Sequence, residues 1–241
     1  MRRSIIGLAF AQYLLLLFAL LGSSSALLAQ EEEEDDEQSG GFYYGLYGGG
    51  TVATQNWNNF QRNALLAYHA GLFVESLGAA ENGQQTSYLF ALGYHKKGSS
   101  FRNMFVGGSS VPANEFHNLS LLGAFKKNYL TGPEERDRLY FLLGLRAEYT
   151  LDYQLVGFGV EGVNRALLGV KLAGGYDLRL PDSGLGLRLE ASISPDITRQ
   201  VFVPAGYSTG TVDQNGNAIM SQEQKVYNLI FELSAAVFIM Q

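Results

Sequence analysis

Residues 185–193 read Leu-Gly-Leu-Arg-Leu-Glu-Ala-Ser-Ile, with every odd position apolar and every even one glycine or polar. A period of two puts the apolar set on one face of a β-strand and Arg188 and Glu190 on the other. The alternation recurs along the chain. In Arg138–Leu151, Leu139, Phe141, Leu143, Leu145, Ala147 and Tyr149 share a face opposite Gly144, Arg146, Glu148 and Thr150. Arg165–Leu180 sets Leu168, Val170, Leu172 and Tyr176 against Gly169, Lys171, Gly175, Asp177 and Arg179. In Val226–Ile239, Tyr227, Leu229, Phe231, Leu233, Ala235 and Val237 oppose Asn228, Glu232 and Ser234. Phe42–Val52, Asn63–Glu75, Thr86–Lys96 and the less regular Glu115–Phe125 complete a set of eight. Each is long enough for a tilted membrane span of ~9–11 residues. The expected fold is therefore all-β: an eight-stranded antiparallel up-and-down transmembrane β-barrel over residues 42–241, apolar side outward and charged side inward.

The connections alternate in length. Ser76–Gly83, Lys126–Asp137 and Pro181–Gly184 are the shorter set; Ala53–Arg62, Lys97–Asn114, Asp152–Asn164 and Ser194–Lys225 are the longer and more varied. Tight turns at one end and long loops at the other are the polarity of outer-membrane barrels, and an even strand number returns both ends of the barrel to the periplasmic side. Inside the last loop, Thr211–Ile219 predicts a hairpin around Asn215-Gly216, the preferred pair for a type I′ turn. Its Asp213, Asn215 and Asn217 could be read as calcium ligands, but the glycine is misplaced for an EF-hand loop. On the apolar faces, Tyr94, Tyr149 and Tyr227 fall near the outer rim; Tyr88, Tyr176 and one of Tyr43 or Tyr44 fall near the inner rim, as interfacial belts require.

The amino-terminal residues read as an address. Arg2 and Arg3 precede an apolar run from Ile5 to Leu21, and Gly22–Ala26 supplies small residues for cleavage, so residues 1–29 are expected to be a signal peptide cut after Ala29 or Ala26. Residues 30–41 follow as a leader whose seven consecutive acids, Glu31–Glu37, repel one another and are expected to stay solvated and disordered. No other run is apolar enough for a transmembrane helix. The absence of cysteine excludes a disulfide framework, a thiolate metal site and a lipidated Cys.

The inward faces carry Arg146, Glu148, Lys171, Asp177, Arg179, Arg188, Glu190 and Glu232, from four consecutive strands and of both signs. Buried charges need partners, and an eight-stranded barrel is just wide enough for side chains to fill it. These residues are therefore expected to plug the lumen as a charge network. Three histidines occur, and His69 and His95 are expected to point inward. His95 with Ser99 or Ser100 is the arrangement a rim-sited lipid acyltransferase could use, but no spacing ties it to an orienting carboxylate, and a structural histidine is the favoured reading. The glycines at 48–50 lie within a strand and form no phosphate loop. No zinc spacing is present, and no cofactor is implied. Net charge −6 without a basic stripe argues against nucleic acid. Asn118-Leu119-Ser120 is a glycosylation sequon but sits in a predicted strand.

Several segments together resemble the PorT-like outer-membrane β-barrel proteins of Bacteroidota, from about Phe42 to Ile239. They are Gly45-Leu46-Tyr47-Gly48-Gly49-Gly50, Ala70–Glu75, Phe116–Gly123, Tyr140–Gly144 and Leu187–Ala191. The family's fourth-strand proline is replaced, with Ser120 in that region, and Phe238 stands three residues before the end where such barrels commonly finish on an aromatic. The resemblance implies an outer-membrane barrel, some of whose relatives assist protein secretion, and it carries over no catalytic residue. The expectation is a non-enzymatic protein of the cell outer membrane, in contact with lipid. It would meet protein partners through loops 152–164 and 194–225 or through its periplasmic side. A small pore, a lipid-modifying enzyme and a secreted barrel with an apolar lumen are the alternatives.

Overall fold

The computed structural model describes residues 41–58, 62–100, 113–131, 136–156, 162–180, 183–206, 208–220 and 222–240. The expected signal peptide and all but the last residue of the acidic leader lie outside this set. Eight long strands form the wall: β1 (Phe42–Asn56), β2 (Asn63–Glu81), β3 (Gln84–Ser100), β4 (Ala113–Thr131), β5 (Asp137–Gln154), β6 (Ala166–Arg179), β7 (Leu185–Pro195) and β11 (Gln224–Met240). Each pairs antiparallel with its neighbours, and β1 pairs with β11 from Tyr43↔Met240 to Asn56↔Tyr227, which closes the ring. Closure leaves no unpaired edge within the wall. The eight-stranded up-and-down barrel expected from the alternation is the observed fold.

Most strands run past their expected ends. β4 continues through Lys126, Asn128 and Leu130 to Thr131, and β2 continues to Glu81. The segment Lys126–Asp137, expected as a turn, is mostly ladder because polar residues on both faces hide the alternation there. The β2–β3 connection shrinks to Asn82-Gly83, with φ of 52° and 73°, the positive pair of a type I′ hairpin turn. The Asn215-Gly216 turn is a correction. β9 (Ser208–Val212) and β10 (Ala218–Met220) do form the hairpin, but Gly216 is its one positive-φ residue among those described. Asp213 organises it instead: its Oδ1 accepts from the backbone N–H groups of Asn215 and Asn217, both at 2.8 Å. Those bonds hold the Asp213 carboxyl below its ordinary range. The Asp213 N–H also bonds Asn217 O at 2.8 Å, and Gly216 N–H bonds Asp213 O at 3.0 Å. This is the pattern of a type I turn closed by a glycine bulge.

The outer surface is apolar. Leu145, Leu189 and Leu233 are 69%, 66% and 70% exposed, and Leu46, Leu72, Leu143 and Val237 accompany them. Tyr44, Tyr88 and Tyr176 are exposed toward the tight-turn end, with Tyr88 edge-on to Phe125 at 5.9 Å; Tyr43, by contrast, is buried. Inside, the half nearer the tight turns holds an apolar cluster that includes Tyr43, Phe73, Leu89, Tyr140, Leu142 and Phe238. Glycines on neighbouring strands make room for these rings. A Cβ on Gly175 would lie 2.4 Å from both the Tyr140 hydroxyl and the Leu189 carbonyl oxygen, and one on Gly186 would lie 2.2 Å from the Phe238 ring. Gly175→Val is accordingly expected to destabilise the barrel by about 1–3 kcal/mol through overpacking, read as a lower urea midpoint for unfolding.

At the long-loop end a second apolar cluster, Trp57, Phe116, Val201, Val203 and Val226, lies above the lumen. It is built by β8 (Val201–Val203), which pairs with the start of β11 at Val201↔Val226. Val201 also bridges Val163, and Asp196 bridges Gly169. The chain after β7 thus folds back across the mouth rather than projecting as a free loop.

Candidate functional site

Alternation carries charge inward from seven of the eight wall strands, and the segment after β7 adds Asp196. The buried groups sort into three levels. Nearest the long loops, Lys97 Nζ lies 2.5 Å from Glu148 Oε2 and 2.8 Å from Asp196 Oδ2. Arg146 Nη2 donates to Asp196 Oδ1 at 2.6 Å, and Asn228 Nδ2 donates to Asp196 Oδ2 at 2.6 Å. Gln55 and Gln200 both bond Asn228, so amides surround the charged knot.

At mid-height, Lys171 Nζ joins Glu190 at 2.9 Å to Glu232 at 3.1 Å, and the Tyr140 hydroxyl donates to Glu190 at 2.8 Å. His95 links this level to the one above, with Nδ1 2.8 Å from Glu148 and Nε2 3.3 Å from Glu232. His69 has Thr51 Oγ1 2.9 Å from Nδ1 and Ser234 Oγ 2.8 Å from Nε2.

Nearest the tight turns, Glu75 takes Lys126 at 3.0 Å, Arg188 at 2.5 Å and the Ser87 hydroxyl at 2.6 Å. Asp177 takes Lys126 at 2.6 Å and Arg188 Nε at 2.7 Å. The Lys126 ammonium also stands 4.1 Å from the centroid of the Tyr140 ring. Apart from the partly buried Glu190 and Ser234, these side chains are removed from water, so each charge depends on its partners to offset desolvation.

The eight residues singled out in the sequence are distributed over these levels. Arg146 and Glu148 stand at the top, Lys171, Glu190 and Glu232 in the middle, and Asp177 and Arg188 at the bottom. Arg179 is half-buried at the tight-turn rim, donating to the Tyr43 hydroxyl. Glu75, Lys97, Lys126 and Asp196 were absent from that set, yet they are half of the Lys, Arg and carboxylate side chains paired at the top and bottom. Glu75 closes the expected strand Asn63–Glu75 in the inward phase of Gly71-x-Phe73, and Lys126 continues that of Leu122-x-Ala124 one residue past the expected strand end. Asp196 gave no such signal, because it follows β7 and enters the lumen by a fold-back.

Between the groups lie small cavities. One of about 40 Å³ is lined by Tyr47, Phe73, Lys171, Glu190 and Ser234 among others; another of about 30 Å³ is bounded by His69, His95, Arg146 and Glu232. Such volumes hold a few waters each. The seryl alternatives are occupied elsewhere. Ser99 Oγ donates to Gln55 Oε1 at 2.7 Å and Ser100 Oγ to the Ala64 carbonyl at 3.1 Å, so neither meets His95. Ser234 does meet His69, but the far ring nitrogen of His69 meets Thr51, with Glu232 3.9 Å away. A nucleophile–base–carboxylate relay is not assembled at either pair.

No family model matches the chain, and no curated protein matches it. Among solved structures it is similar to Neisserial surface protein A, at 11% identity over 84% of this chain and 99% of that one, with a TM-score of 0.42. It is also similar to the outer membrane protein OprG from Pseudomonas aeruginosa, at 9% identity over 86% and 99%, with a TM-score of 0.46. A third likeness is to the outer membrane protein AlkL, studied in lipid bilayers, at 8% identity over 87% and 94%, with a TM-score of 0.36.

Proposed function

We propose that this chain is an integral protein of an outer membrane, with a lumen closed to ions, that works by contact rather than catalysis. The observation that carries the reading is the inversion of polarity. Leucines stand 66–70% exposed around the middle of the wall while Glu75, Lys97, Lys126 and Glu148 are buried inside it. An apolar surface of that extent suits hydrocarbon and not water, and a closed β-ring satisfies its backbone without solvent. The polarity also argues against the secreted barrel with an apolar lumen. Contact surfaces would be the long-loop end, where segments 152–164 and 194–225 gather, and the opposite rim. The narrower role of an accessory to protein secretion draws on the PorT-like resemblance alone. Deletion of the gene would test it: a loss of exported proteins supports that role, and unaltered export removes it.

The first test is electrophoresis of the outer-membrane fraction, unheated against boiled. A faster folded band that shifts on boiling is expected; recovery of the protein only from soluble fractions would sink the membrane reading. Planar-bilayer recording of the folded protein is then expected to show no conductance steps. Discrete openings at neutral pH would contradict a lumen filled by paired charge.

A further inference from the structure

We propose that the tight-turn end of the barrel holds a binding site for a phosphate group, built from Arg138 and Arg179 beside Tyr43. The starting point is a pair of guanidiniums that no carboxylate bonds among the described residues. At this end Lys126 and Arg188 are matched by Glu75 and Asp177, two cations against two anions, with four close contacts among them. Arg138 and Arg179 remain, and among the described residues no carboxylate bonds either guanidinium. Asp137, the neighbour in sequence, is engaged elsewhere: it accepts from the Tyr176 hydroxyl at 3.0 Å and from the backbone N–H of Arg179 at 3.2 Å.

Arg138 is only 4% exposed, yet its Nε and Nη1 have no hydrogen-bond partner, and the same is true of Arg179 Nε. A guanidinium removed from water with its donors unmet is costly, so its retention here calls for an acceptor. The two groups are also aimed at one place. Arg138 Cζ lies 5.2 Å and Arg179 Cζ 5.6 Å from the centroid of the Tyr43 ring, which is itself stacked on Phe238 at 4.8 Å. Strands β5 and β6 carry the two arginines and β1 the tyrosine, so the ring is the platform on which both converge. The Tyr43 hydroxyl accepts from Arg179 Nη2 and keeps its own proton to donate. Two guanidiniums and a phenol offer several donors to one anion, the donor set that the oxygens of a phosphate group accept from. Inorganic phosphate and a phospholipid headgroup share this chemistry. A site at the rim of the wall, beside the exposed Tyr44 and Tyr176, is at the height of either source.

The site is separable from the membrane reading, because it can be probed on the folded full chain in a non-ionic detergent. Titration calorimetry with inorganic phosphate at low ionic strength is expected to give saturable, single-site binding. Arg138→Gln and Arg179→Gln are each expected to weaken it at least about tenfold, the scale of a lost charge-assisted hydrogen bond. Lys225→Gln, at the opposite end, leaves it unchanged. Arg179 is half-buried and on the rim, so its variant keeps the test alive if Arg138→Gln does not give a heat-modifiable folded band. Equal affinity in wild type and Arg179→Gln, or heats that never saturate, would overturn the proposal. In phosphatidylcholine nanodiscs, loss of the phosphate binding seen in detergent assigns the site to a headgroup phosphate. Retention assigns it to the free anion, and either result keeps the site.

Discussion

Glu75→Ala is expected to cost about 3–5 kcal/mol of folding stability, the usual scale for breaking a buried pair by removing one partner. The carboxylate receives Lys126, Arg188 and Ser87, and all three ionic side chains are shut away from water. Truncation leaves two cations sharing Asp177 alone, inside a wall whose outer face is apolar. The measurement is the urea midpoint for folding into lipid vesicles or detergent, with the double variant Glu75→Ala/Lys126→Met beside it. Removing the second charge should recover a large part of the loss, because the penalty belongs to the orphaned cation and not to the missing bond. Glu115→Ala supplies the contrast. Its partner Lys96 is also close, at 2.8 Å, but both side chains are part-exposed on the outside, and the change should stay within about 1 kcal/mol. If Glu75→Ala and Glu115→Ala cost the same, the lumen charges are hydrated and the network is not what holds the plug together.

The contrast between those two glutamates also marks what could be read from the sequence. Strand number, order and inward phase were legible because the two faces differ so strongly: Leu143, Leu145 and Ala147 against Gly144, Arg146 and Glu148 admit one register only. The ends were harder. Lys126-Lys127-Asn128 is polar on both faces, since Lys127 turns outward near the rim while Lys126 and Asn128 turn inward, and a polar run without alternation reads as a turn. Lys97 was assigned to a loop for the same reason, although β3 carries it fully buried to the Glu148–Asp196 knot. Pairing across the lumen was not legible at all. Lys126 and Glu75 are 51 residues apart, Lys97 and Asp196 are 99 apart, and Arg188 and Glu75 are 113 apart. Their meeting depends on strand tilt and stagger in the closed ring, which no local pattern encodes. The aromatic half of the lumen was likewise hidden. Tyr43, Phe73, Tyr140 and Phe238 occupy inward positions that a polar-lumen expectation leaves to small or charged residues. Only the glycines opposite them, Gly45, Gly175 and Gly186, hinted that something large lay across the gap.

The second large effect separates lipid from water as the solvent of the outer face. Leu145→Arg places a guanidinium at the middle of β5 on a side chain that is 69% exposed. If that face meets hydrocarbon near the bilayer midplane, the change should cost about 2–4 kcal/mol. The same substitution at Tyr149, four residues nearer the loop end, should cost at most about 1 kcal/mol, because the penalty falls toward the interface. In a barrel standing in water, both positions would be ordinary surface sites. An added arginine would then change stability by less than about 0.5 kcal/mol at either one, and solubility would rise. Folding titrations into phosphatidylcholine vesicles read the difference directly. A steep gradient from residue 145 to residue 149 locates the membrane core along the strand. A flat profile would mean that the leucine belt faces a protein partner or solvent instead, and the polarity of the wall would need another cause.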